Sequence, residues 1–286
     1  MLNWPALCAR HTGLYADEGL DVTFLVQPEE EQTADLVSGA IAIARRGADT
    51  HFNLVEDGVP VRTIAGLLRK APLYLHARAG IATVSDLRGR TIAANRSIAG
   101  SFVLRMALAD AGIGDDGWVP LGAGGARARL RALIDGTADA ALLSPPNTVE
   151  AGAAGFQPLL NLPAAYPHLQ YSTMQVRTDF AAGAGDALVR LLRADIRGQR
   201  WLHDPANRGT ALAVLSDAYA LSIDDAAACY DALVVRDRVY CTSAELDPEA
   251  LEVICDGLQR FGRLRRDRPV AGYLDTRYLD EAQRTA

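Results

Sequence analysis

The sequence predicts an α/β protein built as two lobes, and three observations predict it. Short apolar runs of strand length alternate with segments whose apolar spacing is helical. Strand candidates crowd the first 180 residues or so, and helix candidates fill roughly the last 100. Finally, Leu36-Val37-Ser38-Gly39-Ala40-Ile41-Ala42-Ile43-Ala44 lines up with Leu133-Ile134-Asp135-Gly136-Thr137-Ala138-Asp139-Ala140-Ala141. Each run is a helix end, a capping glycine and a strand of small apolar residues. An echo this short also arises by chance. The other reading is two lobes built on one helix-to-strand step, with a ligand cleft at the C-terminal strand edges.

Taken in order, residues 13–20 read as a helix end and a turn, followed by a strand over 21–26. A helix over 30–37 stops at Gly39, a C-cap position, and 40–44 follows as a strand. Residues 49–57 form a helix, and 59–68 and 73–77 are strands. A short helical turn at 84–87 ends at Gly89. A strand at 90–94 leads to an amphipathic helix over 101–111, closed by Gly112. The plan repeats with a helix over 126–134 stopped by Gly136 and a buried strand over 138–143 that breaks at Ser144-Pro145-Pro146. From Ala187 onward the pattern is helical, over 187–202, 205–216, 223–233 and 248–261.

Bulk composition narrows the function classes. The 286 residues are 49% hydrophobic and 22% charged, the balance of an ordinary globular chain. A net charge of −6 leaves no electrostatic footprint for nucleic acid or an anionic membrane. Lys70 is the only lysine, and the arginines do not gather on one segment. Cys8, Cys229, Cys241 and Cys255 are far apart with no C-x-x-C pair, so no metal site is expected. Buried thiols are the simple reading, and a disulfide among the last three stays open. The written start lacks a signal peptide's basic region and apolar run. No stretch approaches the roughly 20 apolar residues needed to cross a bilayer. As written, the chain is expected in the cytoplasm; with an omitted upstream leader it is expected in the periplasm.

Few local motifs carry chemistry. Gly122-Ala123-Gly124-Gly125 resembles a dinucleotide loop, but Arg127 stands where G-x-G-x-x-G needs its third glycine, and no cofactor is expected. A flexible strand-to-helix turn explains it as well. Asn95-Arg96-Ser97-Ile98-Ala99-Gly100-Ser101 lies between a strand and a helix, where free N–H groups and the helix dipole favour an anionic group. Simple capping by one serine is the other reading. Arg45-Arg46 follows the strand over 40–44, so the pair is expected at a strand's C-terminal edge. There it either holds an anion through paired hydrogen bonds or is solvated surface. Thr50 and His51 start the next helix. The five histidines show no metal-ligand spacing, and no G-x-S-x-G elbow supports a hydrolase. The run Arg260, Arg263, Arg265, Arg266 and Arg268 reads as a solvated helix end and loop.

The order of segments resembles the nitrate/alkanesulfonate/taurine/thiamine-pyrimidine solute-binding family. The resemblance rests on Gly13-Leu14-Tyr15-Ala16-Asp17-Glu18-Gly19-Leu20-Asp21-Val22, on Ser85-Asp86-Leu87-Arg88-Gly89-Arg90 and on Asp139-Ala140-Ala141-Leu142-Leu143-Ser144-Pro145-Pro146. Gly155-Phe156, residues 171–177 and Tyr273-Leu274-Asp275 continue it. It implies a type II periplasmic-binding-protein fold with a hinge of two crossing strands, near 73–77 and 171–177. It also implies delivery of a captured solute to the membrane subunits of a bacterial ABC importer, with no membrane insertion of its own. Some relatives are enzymes, so a cytoplasmic synthase- or decarboxylase-like enzyme acting on a small heterocycle or aromatic acid is the alternative function. No catalytic residue is assigned.

On this reading, residues 1–80 with 180–286 form lobe 1, and 81–179 form lobe 2. The solute, a small anionic or polar heterocyclic molecule, is expected to meet Asn3, the ring face of Trp4, Arg45, Thr50 and His51 from lobe 1. Ser97, Ala99, Gly100 and Ser101 receive its polar end, and Ser144 and Asn147 close the other side. The family's first strand falls before Asn3, so the natural product is expected to begin upstream. An extension of about ten residues is then expected to raise the melting temperature.

Overall fold

The structure is a computed structural model that describes residues 3–94, 98–266 and 268–286, and of residues 98–101 the backbone alone. The chain is a mixed α/β protein that folds into two compact units. One consists of Met1–Arg69, Leu169–Ile223 and Tyr240–Ala286; the other consists of Lys70–His168 and Asp224–Val239. The strands are β1 (Ile43–Gly47), β2 (Val61–Leu68), β3 (Tyr74–Ala77), β4 (Thr91–Ala94), β5 (Val119–Gly122), β6 (Ala140–Leu143), β7 (Gln157–Asn161) and β8 (Ser172–Arg177).

In the first unit β8 is the central strand of the order β1-β8-β2, antiparallel to both neighbours. Its burial on both faces follows from the packed helices around it. The helix Gly185–His203 buries Leu188, Leu192 and Ile196 at helical spacing and packs on the helix Trp4–His11. Gly198 makes that packing possible: a Cβ there would stand 2.7 Å from Ala9 Cβ and 2.8 Å from the Pro5 carbonyl. Trp4 is locked between these elements, with its Nε1–H donating to the Ala211 carbonyl at 3.1 Å.

The second unit holds a five-stranded sheet of order β5-β4-β6-β3-β7. β4 runs parallel to β5 and β6, whereas β3 is antiparallel to β6 and β7. The helix Ala126–Ile134 covers it through Leu130 and Leu133, which pack with Ala93, Ala141 and Leu143. Gly136 then turns the chain at φ 75°, as the capping pattern requires.

The structure corrects three expectations. Residues 21–26 form no strand: among the described residues none lies beside them to complete a ladder. The strand expected over 40–44 is β1, displaced toward Gly47, because pairing of Ile43 with Val176 through Gly47 with Ser172 sets its register. The helix expected over 223–233 gives way at Asp231 to a π-helical turn, Asp231–Arg236. The helices Trp4–His11, Asn147–Ala153 and Arg277–Thr285 add to those expected.

Cys8, Cys229, Cys241 and Cys255 are buried free thiols, and desolvation pushes Cys8 up to about 12. Among the described residues, no helix is long and apolar enough to cross a membrane.

Candidate functional site

β1 delivers two consecutive arginines to opposite faces of its sheet, as strand geometry dictates. Arg46 is 5% exposed, and its Nε donates to Thr50 Oγ1 at 2.9 Å. Its Nη2 donates to Thr33 Oγ1 at 2.8 Å and lies 3.8 Å from Glu29. Gly47 then ends the strand and begins the helix Ala48–Glu56 without a capping side chain. Its carbonyl accepts from Thr50 Oγ1 at 3.0 Å and from Gln175 Nε2 at 3.3 Å. The Asp49 carboxylate folds back over Gly47, where a Cβ would stand 2.5 Å from Asp49 Oδ1. Only glycine leaves room for the carboxylate in that position.

The polar groups around Gly47 are incompletely satisfied. Among the described residues, Arg46 Nη1, Asp49 Oδ2 and Gln175 Oε1 are buried without a partner, as is Ser172 Oγ on the strand residue facing Gly47. An unmet buried polar group costs about 1–3 kcal/mol, so a small polar molecule satisfying several of these atoms gains accordingly. Burial pushes the Asp49 carboxyl up to about 7, with the Glu29 charge adding to the rise. Burial also lowers Arg46, against the attraction of Glu29 and Asp49. Near neutrality the cluster therefore offers a guanidinium donor, a carboxyl that can keep its proton and an amide acceptor. That arrangement can recognise a solute carrying both acceptors and donors.

The expected site residues separate. Thr50 joins Arg46 directly, but His51 turns away. It is fully buried, its Nε2 lies 3.0 Å from the Tyr273 carbonyl, and desolvation pushes it down to about 4. A carbonyl can only accept, so Nε2 carries the proton and the ring is neutral. Arg45 does not emerge at the strand's C-terminal edge: it lies within β1 and is ion-paired with the buried Asp195. Trp4 offers no face for stacking, being 0% exposed and edge-on to Tyr240. A side chain that large pairs with solute only at the cost of the core it fills.

Asn3 and Arg45 line a groove of about 450 Å³ together with residues 20–25, residues 41–44 and Leu188. Ser144 and Asn147 lie in the second unit, where the Asn147 backbone N–H (3.0 Å) and Nδ2 (3.4 Å) both donate to the Ser144 carbonyl. Ser97 lies outside the described residues, and of Ala99, Gly100 and Ser101 only the backbone is described. Asp49, Gln175 and Ser172 were not among the expected residues. The signal that could have found Asp49 is Gly47-Ala48-Asp49, a glycine and an acid at a strand-to-helix step.

A family model described as "NMT1/THI5 like" matches residues 3–207. Among solved structures, the nitrate-binding protein NrtA of Synechocystis PCC 6803 superposes with a TM-score of 0.82 at 14% identity, covering 99% of this chain and 86% of that one. The alkanesulfonate-binding protein SsuA of Xanthomonas axonopodis pv. citri, bound to MOPS, gives 0.78 at 18% identity, covering 96% and 94%. At such identities the likeness is one of fold, that of the periplasmic binding proteins. The riboflavin-binding protein RibY of Chloroflexus aurantiacus is 29% identical over 113 residues, 38% of this chain. That match spans 32% of the relative, about a third of its length.

Proposed function

The chain belongs to the NMT1/THI5-like family, and we propose that it is a solute-binding protein that captures a small polar heterocyclic or anionic molecule for an ABC importer. The observation that carries the reading is the set of unpartnered buried atoms around Gly47, namely Arg46 Nη1, Asp49 Oδ2 and Gln175 Oε1. They gather hydrogen-bond donors and acceptors for recognition at one place. Relatives named for nitrate, alkanesulfonate and riboflavin binding support a solute with hydrogen-bond acceptors. Arg46 holds the acceptor edge or anionic group, while Asp49 and Gln175 select the donor and acceptor edges of a ring. The membrane subunits of the importer are the protein partner, and the periplasm is the site of action.

The test is a titration panel in calorimetry: nitrate, an alkanesulfonate, riboflavin and a pyrimidine, each with wild-type protein and Arg46→Ala. Saturable one-to-one binding of one class, weakened at least tenfold by the substitution, supports the reading; tenfold corresponds to about 1.4 kcal/mol. Binding that is indifferent to Arg46, or chemical turnover of a bound compound, overturns it.

A further inference from the structure

Two threonine hydroxyls fork the Arg46 guanidinium, and the proton of each is already placed. Thr50 Oγ1 gives its proton to the Gly47 carbonyl at 3.0 Å, and its oxygen accepts from Arg46 Nε at 2.9 Å. Thr33 Oγ1 gives its proton to the Glu29 carbonyl at 2.8 Å, one turn back in the helix Glu29–Ser38. Its oxygen accepts from Arg46 Nη2 at 2.8 Å. A hydroxyl carries one proton, so each oxygen faces Arg46 as an acceptor. A guanidinium is planar. Fixing Nε and Nη2 therefore also fixes Nη1, which is buried without a partner among the described residues.

We propose that Thr33 is a positioning residue for the solute site: its hydroxyl holds Arg46 so that Nη1 stands ready for an acceptor on the solute. The role rests on the solute-binding reading above, and Thr33 acts through Arg46 rather than on the solute. Geometry separates it from the neighbours that could do the same. Glu29 faces Arg46 at 3.8 Å, beyond hydrogen-bond reach, and its side chain is 45% exposed, so water weakens its attraction. Thr50 also fastens the turn at Gly47, so its loss would disturb the strand end as well. Thr33 sits outside that turn, on a helix of whose residues Leu36 alone is buried. Arg177 ties the far end of this helix by donating to the Leu36 and Val37 carbonyls at 2.9 and 3.1 Å. The helix therefore keeps an anchor of its own when the Thr33 hydroxyl is removed, and the effect of that removal falls on Arg46.

The test compares wild type with three variants. Thr33→Val keeps the shape and removes the hydroxyl, Thr33→Ser keeps the hydroxyl, and Glu29→Gln removes the nearby charge. The first readout needs no solute: it is the NMR order parameter of the Arg46 Nε–H. It is expected near the rigid value of about 0.85 in wild type, Thr33→Ser and Glu29→Gln, and below about 0.6 in Thr33→Val. No change in Thr33→Val overturns the proposal. An equal fall in Glu29→Gln assigns the hold to charge and overturns it too. The second readout is calorimetric affinity for nitrate, an alkanesulfonate, riboflavin and a pyrimidine. Where Arg46→Ala weakens binding of one of these probes, Thr33→Val is expected to weaken it about fivefold and Thr33→Ser to restore it within about twofold. Full affinity in Thr33→Val overturns the proposal and leaves the solute reading standing. Binding that ignores Arg46→Ala overturns the solute reading, and the role of Thr33 with it.

Discussion

Tyr15 donates its hydroxyl to Asp195 Oδ1 at 2.5 Å, across 180 residues of chain, while the other oxygen of the same carboxylate is paired with Arg45. The acid is 2% exposed and Tyr15 equally buried, so the triad is internal to the first unit. Burial and the Asp195 charge both push the Tyr15 hydroxyl up, which keeps it a donor at every working pH. Asp195→Ala strands a buried guanidinium without a counter-charge, a change that typically costs about 3–5 kcal/mol. Urea denaturation is expected to show a loss of that order. A loss below about 1 kcal/mol would mean that Arg45 swings out to water and that the triad contributes little.

Arg45 and Arg46 are expected to respond differently to the same substitution. Arg46→Lys keeps the charge but loses the planar fork that spans Thr33 and Thr50. It is expected to weaken solute binding about tenfold or more at nearly constant stability. Arg45→Lys is expected to lower the melting temperature and leave affinity within about twofold. Calorimetric titration and thermal melts of both variants decide the matter; the reverse pattern would move the solute to the Arg45 face.

Two buried groups give opposite pH dependences. Asp49 is raised from 3.8 to about 7, so the folded state holds its proton longer than the unfolded chain. Its contribution is full below about pH 4 and is lost as pH rises to 7, by up to about 4 kcal/mol. His51 is lowered from 6.5 to about 4, so its contribution is present above 6.5 and lost as pH falls toward 4. In wild-type protein the two slopes oppose one another between about pH 4 and 6.5. Asp49→Asn removes the first slope alone. Its stability relative to wild type is expected to be greater at pH 8 than at pH 4.5, read from urea midpoints at each pH. A difference that does not change with pH would assign Asp49 an ordinary carboxylate value.

Gly198→Ala tests the closest helix contact. The added methyl meets Ala9 Cβ and the Pro5 carbonyl at 2.7 and 2.8 Å, and the carbonyl belongs to backbone that cannot rotate aside. Overpacking of this kind costs about 1–3 kcal/mol. The melting temperature is expected to fall, and the Trp4 fluorescence is expected to shift as the helix Trp4–His11 moves. An unchanged melt would place that helix farther from the helix Gly185–His203 than the contact implies.

By itself the sequence determined what local rules encode. Gly39 and Gly136 end their helices in the left-handed region, at φ 84° and 75°, because only glycine enters it without cost. The apolar run of β6 and the helical spacing from Gly185 to His203 were legible for the same reason: one element's periodicity reports its own buried face. Tertiary structure alone decided what depends on a neighbour. Residues 21–26 read as a strand, yet a strand exists only when another pairs with it, and none does among the described residues. Arg45 and Arg46 look equivalent in the chain; the one-residue register of β1 against β8 turns one to Asp195 and the other to Thr50. Trp4 reads as a ring available for stacking, and only the packing that places Ala211 against its Nε1 buries it. The same holds for the site: Gln175 lies 128 residues from Gly47, and no spacing along the chain announces that its amide ends on the Gly47 carbonyl.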